Sequence, residues 1–365
     1  MRCRYHALLQ ILGFLAVVAF HSELPGMDHG WVAVELFFAL AGYNMARMLQ
    51  ARSSFKDYLV ARYRRLSPPL LLLVPAVALL IVLGSKSALT FVVAAPLQLH
   101  NLLRVTMLDS RETDMAWLPS WFLASLFQLQ LLMFLVRGVL THAHVLVVLA
   151  SAAGLGLSFR LGLGALLQGA DGVITFAEAD ALYWAPITHV EAIVGGVQVG
   201  LGRMWIPRGR FRTALVVLAG LAVIAAVALA LPLVSSEGPT FPLGQVGVNE
   251  HVWGYLALAA AAIVLIDKRH FLARWVLSWK LAPRVDATIE ALSRLTFLGY
   301  VLHGCVLAVL TRALQKSAHG WALLQSPAGA LVITVSVATL SLVLAAKLGQ
   351  IIAFLADRRS PHSRA

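Results

Sequence analysis

The chain has 365 residues, of which 60% are hydrophobic and only 13% charged, and its mean hydropathy is +0.82. A soluble domain carries roughly a quarter of its residues as charges, so a soluble globular protein is excluded and an integral membrane protein is expected. The formal net charge of +12 then reports where the loops lie relative to the membrane; a nucleic-acid partner is not expected.

Apolar runs of about 17–25 residues predict ten transmembrane helices. They lie near residues 7–24, 31–49, 68–84, 121–140, 144–160, 183–202, 213–233, 251–266, 294–312 and 328–356. The first run follows Arg2 and Arg4 as a signal peptide would, but no small-x-small cleavage pattern follows and it ends in Phe20-His21-Ser22-Glu23, so it is expected to be a retained helix. Segment 88–100 contains Pro96, Gln98 and His100, which favour a partly buried or re-entrant stretch over an eleventh span. The expected fold is therefore an all-α bundle of about ten helices forming one membrane domain over 1–356, with a short basic tail at 357–365. Cys3 and Cys305 fall at different depths, too far apart for a disulfide. Glycines gather at Gly154, Gly156, Gly162 and Gly164 and at Gly195, Gly196, Gly200 and Gly202. No strand precedes them, so close helix packing is expected and nucleotide binding is not.

Basic residues set the orientation. With the N terminus cytoplasmic, the inner segments hold 22 of the 29 Lys and Arg, and the outer ones only Lys86, Arg104, Arg111, Arg160, Arg312 and Lys316, with Lys347 inside the last span. Lys and Arg accumulate on the cytoplasmic side, which puts both termini there.

Two ionisable side chains in the first two spans require a reason, because a charge at mid-bilayer costs roughly 2.5–3.5 kcal/mol on insertion scales. His21 lies within about 5 Å of the outer end of the first helix, and Glu35 lies at nearly the same depth in the second, which runs back inward. A pairing of the two is expected: a carboxylate on one imidazole nitrogen fixes the tautomer and leaves the other as a general base. The bland alternative is an interfacial histidine beside a glutamate that bonds another helix. The segment Ser54-Phe55-Lys56-Asp57-Tyr58-Leu59-Val60-Ala61-Arg62-Tyr63-Arg64-Arg65-Leu66-Ser67-Pro68 is basic, cytoplasmic on this topology, and ends at a proline expected to start the third span. Its guanidinium forks suit phosphate groups, and equally the anionic headgroups of membrane lipids.

His21, the stretch Val34-Glu35-Leu36-Phe37-Phe38-Ala39-Leu40-Ala41-Gly42, the stretch Arg62-x-x-Arg65-x-x-Pro68, and Leu295-Thr296-Phe297-Leu298-Gly299-Tyr300-Val301-Leu302-His303 together resemble, in order and spacing, the acyltransferase-3 family of ten-helix bacterial membrane enzymes. Trp121-Phe122-Leu123 is similar to the tryptophan-led helix of its polysaccharide-modifying branch. Two places depart from the family pattern. Gln10 and Ala7 stand where an arginine and an aspartate are usual, and Leu126 lies near the place of a usual glutamate.

The resemblance implies an inner-membrane O-acyltransferase that moves an acyl group, acetyl above all, from cytoplasmic acyl-CoA to a hydroxyl of an exported or lipid-linked polysaccharide, such as the mannose of a xanthan-like repeat. It implies His21 as catalytic base, Glu35 as its orienting partner, and Arg62 and Arg65 as anchors of the acyl-CoA donor. His303, with Tyr300 one turn away, would polarise the thioester carbonyl or tie helices together. Gln10, three turns below His21 on the same face and about 16 Å away, would line the donor path. His189 and Glu191 sit about 200° apart on one helix, so they would bond other helices or line the acceptor path, together with Trp121. His100, His142 and His144 are read as interfacial, and no metal-ligand spacing emerges. A transporter or flippase for a lipid-linked glycan, with His21, Glu35, Glu191 and His303 as its polar path, stays open at this stage, as does an inactive scaffold.

Overall fold

The computed structural model describes residues 4–27, 30–51, 54–71, 94–99, 101, 118–167, 182–203, 248–269 and 271–358. The regular elements among them are all helices: α1 (Arg4–His21), α2 (Ala33–Gln50), α3 (Phe55–Leu71), α4 (Trp121–Leu135), α5 (Arg137–His142), α6 (Val145–Leu167), α7 (Val190–Gly200), α8 (Val248–Ile266), α9 (Phe271–Ser278), α10 (Pro283–Leu314), α11 (Ala318–Leu324) and α12 (Pro327–Arg358). Among the described residues, five helical stretches, Arg4–His21, Gly30–Gln50, Val145–Leu166, Pro283–Leu314 and Pro327–Gln350, are long and apolar enough to cross a membrane, and Trp121–Leu135 is apolar but shorter. The protein is an integral membrane helical bundle.

Cross-helix contacts give each helix its direction. Arg4 meets Asp286, Gln10 meets Ser293 and His21 meets His303, so α1 and α10 run parallel. Gly30 packs on Ala16 and Gly13 on Phe37, so α2 runs back antiparallel to α1. Glu35 bonds His189 and Gly200 packs on Tyr43, so α7 runs with α2. Tyr255 faces Trp31 and the Leu265 carbonyl takes the Tyr5 hydroxyl, so α8 does too. These directions are the ones that the alternating ten-span order requires. Arg4, Arg62, Arg203 and Lys268 consequently gather at one end, called the basic end below.

Several boundaries differ from expectation for local reasons. The basic segment, expected to end at a proline that starts the third span, is itself helical as α3, with Ser54 capping its start: the Asp57 amide donates to Ser54 Oγ, which in turn donates to the Asp57 carboxylate. The helix runs on through Pro68 to Leu71. The single span expected at 183–202 is broken at Pro186 into a short 3-10 turn and α7, since proline donates no helix bond. α10 starts at Pro283 and is 32 residues long, about 48 Å at the helical rise, so it outruns a hydrocarbon core of about 30 Å and projects its Arg284–Arg294 part at the basic end. α6 runs on to Leu167, which takes Arg160 out of the outer loop and into the bundle. Most of the span expected at 68–84 and all of that at 213–233 lie outside the described residues, as do Cys3 and His100. Of the segment 88–100, residues 94–99 form a turn whose buried Gln98 has its carbonyl held by Gln128 at 2.7 Å.

Helix α7 packs on α2 through missing side chains. A Cβ at Gly42 would lie 2.1 Å from the Ile193 carbonyl oxygen, and one at Gly196 would lie 2.0 Å from that of Ala39. Backbone cannot yield to such contacts, so glycine sets the interhelical distance, as in small-x-x-x-small pairs. Gly195 makes room for Ile263 of α8, and Gly156 for the Glu191 carboxylate. Gly154, Gly162 and Gly202, expected to serve close packing, face open space instead.

Candidate active site

A cavity of about 270 Å³ opens near the basic end and runs inward between α1, α2, α3, α4 and α10. Arg62, Arg65 and Arg294 line it, and its remaining wall carries Gln10, Asn44, Gln130, Ser293 and Thr296 among apolar side chains that include Leu126. No carboxylate lines it among the described residues. Arg62 is 7% exposed; among the described residues its guanidinium donates only to the Met48 thioether at 2.9 Å, its Nε has no hydrogen-bond partner, and it lies 5.5 Å over the Tyr58 ring. Sulfur is a weak acceptor, so this cation is poorly compensated, and burial lowers its pKa from the ordinary arginine value. An anion at the mouth would relieve that cost through charge-assisted bonds. The three residues expected to hold a donor, Gln10, Arg62 and Arg65, thus share one cavity. Gln10 presents its amide there while its Oε1 accepts from Ser293 at 2.9 Å.

Deeper, the cavity ends on Phe37, Phe122 and Tyr300, whose rings meet edge to face, Phe37 to Tyr300 at 5.7 Å and Phe122 to Tyr300 at 5.2 Å. One helical turn past Tyr300, His303 is fully buried against His21. Neither histidine lines the cavity; the aromatic partition stands between.

Carbonyl oxygens dictate the tautomers of this pair, because they only accept. His303 Nδ1 faces the Tyr300 carbonyl and so carries a proton, which leaves Nε2 as an acceptor. His21 Nδ1 lies 3.0 Å from the Val17 carbonyl and 3.1 Å from His303 Nε2, and its single N–H is shared between them. His21 Nε2 is left with a bare lone pair and no partner among the described residues. The orienting partner expected for His21 was Glu35; in the structure it is His303, joined by Val17. Both ring nitrogens of His303 are engaged, so it is not free to polarise a carbonyl.

Glu35 sits elsewhere. Glu35 and Phe37 lie two residues apart on α2, about 200° around the axis, so when Phe37 faces Gly13 of α1, Glu35 must face the other way. Its carboxyl, 1% exposed, bonds His189 Nδ1, whose Nε2 donates to the Tyr183 carbonyl at 2.6 Å. With Nε2 bound to hold a proton, the bond between Nδ1 and Glu35 needs one more, so the pair shares it and carries no net charge. The His189 ring stacks on Phe38 at 4.3 Å and beside Trp121, which itself stacks on Trp184. Next to it, Arg160 is fully buried and forks onto both oxygens of Glu191, with a third bond to the Thr188 carbonyl at 2.9 Å. Of the two roles expected for His189 and Glu191, bonding other helices or lining the acceptor path, the structure shows the first, and Trp121, expected on that path, packs against the His189 ring; none of the three lines the cavity. Phe122, 100° around α4 from Trp121, is the motif residue that reaches it.

Sequence reasoning missed Arg294, Gln130 and Phe122 as lining residues, and Arg160 as a buried ion. The only sequence signal for Arg160 was an intramembrane Glu191 without a local partner.

No match is found among curated proteins or among solved structures. Residues 7–346 match the family model of the acyltransferase domain known as acyltransferase-3, a stretch that takes in all the elements of the cavity and both histidines of the pair. The chain belongs to the acyltransferase-3 family of membrane acyltransferases.

Proposed function

We propose that the protein transfers an acyl group, acetyl in the first instance, from cytoplasmic acyl-CoA to a hydroxyl of an exported or lipid-linked polysaccharide, with His21 as the general base. The carrying observation is the carboxylate-free cavity that joins three arginines at the basic end to a partition next to His21 and His303. Its volume is about 270 Å³, at the small end of ligand pockets, which run to roughly 300–1,000 Å³. It suits the slender acyl-pantetheine arm, with the nucleotide phosphates left outside on Arg62, Arg65 and Arg294. From Arg294 to His303 the axial distance along α10 is about 14 Å, a span for such an arm to bridge.

In this reading the acceptor hydroxyl arrives from the end opposite the basic one, and His21 Nε2 takes its proton. The oxygen adds to the thioester carbonyl carbon, the C–S bond breaks, and the coenzyme A thiolate takes the proton back from His21. An ester and free coenzyme A result. His303 and the Val17 carbonyl hold His21 in the working tautomer, and closed helices keep water from the thioester. The basic end is cytoplasmic and the membrane is the bacterial inner membrane. The acceptor class, exopolysaccharide units, follows from the likeness of Trp121-Phe122-Leu123 to the polysaccharide-modifying branch. Donor and acceptor need no metal.

The transport reading loses support because Glu35 and Glu191 are locked to His189 and Arg160, off the cavity. Mass spectrometry of the host's exported polysaccharide with and without the gene tests the proposal. Loss of acyl esters on deletion is expected; an unchanged ester content overturns it.

A further inference from the structure

His303 cannot serve the thioester carbonyl, which raises the question of what does. Tyr300 is 3% exposed and lines the cavity at its inner end, yet its hydroxyl has no hydrogen-bond partner among the described residues. Tyr300 forms part of the cavity's inner wall, so a group lodged at that end lies against the residue that carries this hydroxyl. Edge contacts from Phe37 and Phe122 and a tilted contact with His303 at 5.4 Å fix the ring. A hydroxyl without a protein partner keeps its O–H available to an acceptor on a ligand at the end of the cavity. The main chain of the same residue accepts from His303 and so sets the tautomer chain that frees His21 Nε2. One residue therefore faces both the donor cavity and the base.

We infer that Tyr300 is a catalytic residue whose phenolic O–H donates a hydrogen bond to the thioester carbonyl oxygen. This rests on the acyltransfer reading above. As the acceptor oxygen adds to the carbonyl carbon, the carbonyl oxygen gains negative charge and the Tyr300 bond strengthens. When the C–S bond breaks the carbonyl re-forms and the phenol keeps its proton throughout. Such a preorganised donor lowers the barrier more than it tightens substrate binding. The neighbouring alternatives are poorer: the hydroxyls of Ser293 and Thr296 are already spent on Gln10 and on the Ser293 carbonyl.

The test is the transfer kinetics of the purified full-length protein with acetyl-CoA and a glycan acceptor, together with isotope-edited infrared spectra of bound carbonyl-labelled acetyl-CoA. Tyr300→Phe is expected to lower kcat on the order of 10²-fold, with KM for acetyl-CoA changed by less than about threefold, and to shift the bound carbonyl band to higher frequency. Unchanged kcat with an unchanged band overturns the assignment. Should Tyr300→Phe fail to bind acetyl-CoA, 3-fluorotyrosine at position 300 decides: a more acidic phenol of nearly the same size lowers the carbonyl frequency further, and a band that does not move overturns the inference. Failure of the wild-type protein to consume acetyl-CoA counts against the acyltransfer reading as a whole, which separates that outcome from a failure of Tyr300 alone.

Discussion

His21 and His189 are both bundle histidines next to carbonyl oxygens, the first half-buried and the second fully buried, and they differ in what their second nitrogen meets. His189 gives both nitrogens to the fold, whereas His21 Nε2 has no partner among the described residues. His21→Ala is therefore expected to lower transfer by at least about 10²-fold while acyl-CoA binding stays near wild type, read by turnover and by equilibrium binding in detergent. Glu35 has a different expected phenotype. Glu35→Gln supplies an amide N–H to His189 Nδ1 in place of the shared proton, so the folded protein should keep most of its turnover. Glu35→Ala strips a buried pair of one member, at roughly 3–5 kcal/mol, and should lower the unfolding temperature sharply. A well-folded Glu35→Gln protein with no turnover would place Glu35 in the chemistry after all. The sequence put His21 and Glu35 together because hydropathy and helical rise give depth. Depth says nothing of azimuth, and the 200° between Glu35 and Phe37 is what turns the carboxylate toward α7.

At the scale of elements, α3 presents Arg62 and Arg65 one turn apart on the face that meets the cavity. Arg62→Ala and Arg65→Ala are expected to raise the KM for acetyl-CoA about tenfold, with a smaller penalty for a dephospho-coenzyme thioester that already lacks one phosphate contact. Equal penalties for the two donors would point to a structural role. The contact of α2 with α7 has a cleaner steric prediction. Gly42→Val and Gly196→Val force a side chain into backbone oxygens near 2 Å and should abolish folded protein in membranes, judged by size-exclusion in detergent. Gly154→Ala and Gly162→Ala meet nothing within 4 Å and should be neutral or stabilising by up to about 1 kcal/mol. The glycine clusters were visible in the sequence. Which of them touch was not, because composition marks a small residue without naming the helix opposite it.

For the whole molecule, the alternation of helix directions follows from apolar runs and chain order, and α1, α2, α7, α8 and α10 run in the directions so required. That Gln10, Arg62 and Arg65 lie toward the basic end was legible for the same reason, and they line one cavity. What joined them was not legible: α1 and α10 meet through residues such as His21 and His303, 282 positions apart, and no local pattern encodes that contact. Arg160 was hidden likewise, because a charge near the end of an apolar run reads as loop until Glu191, 31 positions on, is seen to neutralise it. The direct test is to give purified wild-type and His21→Ala proteins radiolabelled acetyl-CoA and the host's lipid-linked glycan, with donor binding measured in parallel. Label is expected on the glycan with the wild type and at least about 10²-fold less with His21→Ala, at donor affinities within about twofold of each other. Label transfer by His21→Ala at the wild-type rate, or no donor consumption by the wild type, would contradict His21 as the base of an acyl transfer fed from the basic end.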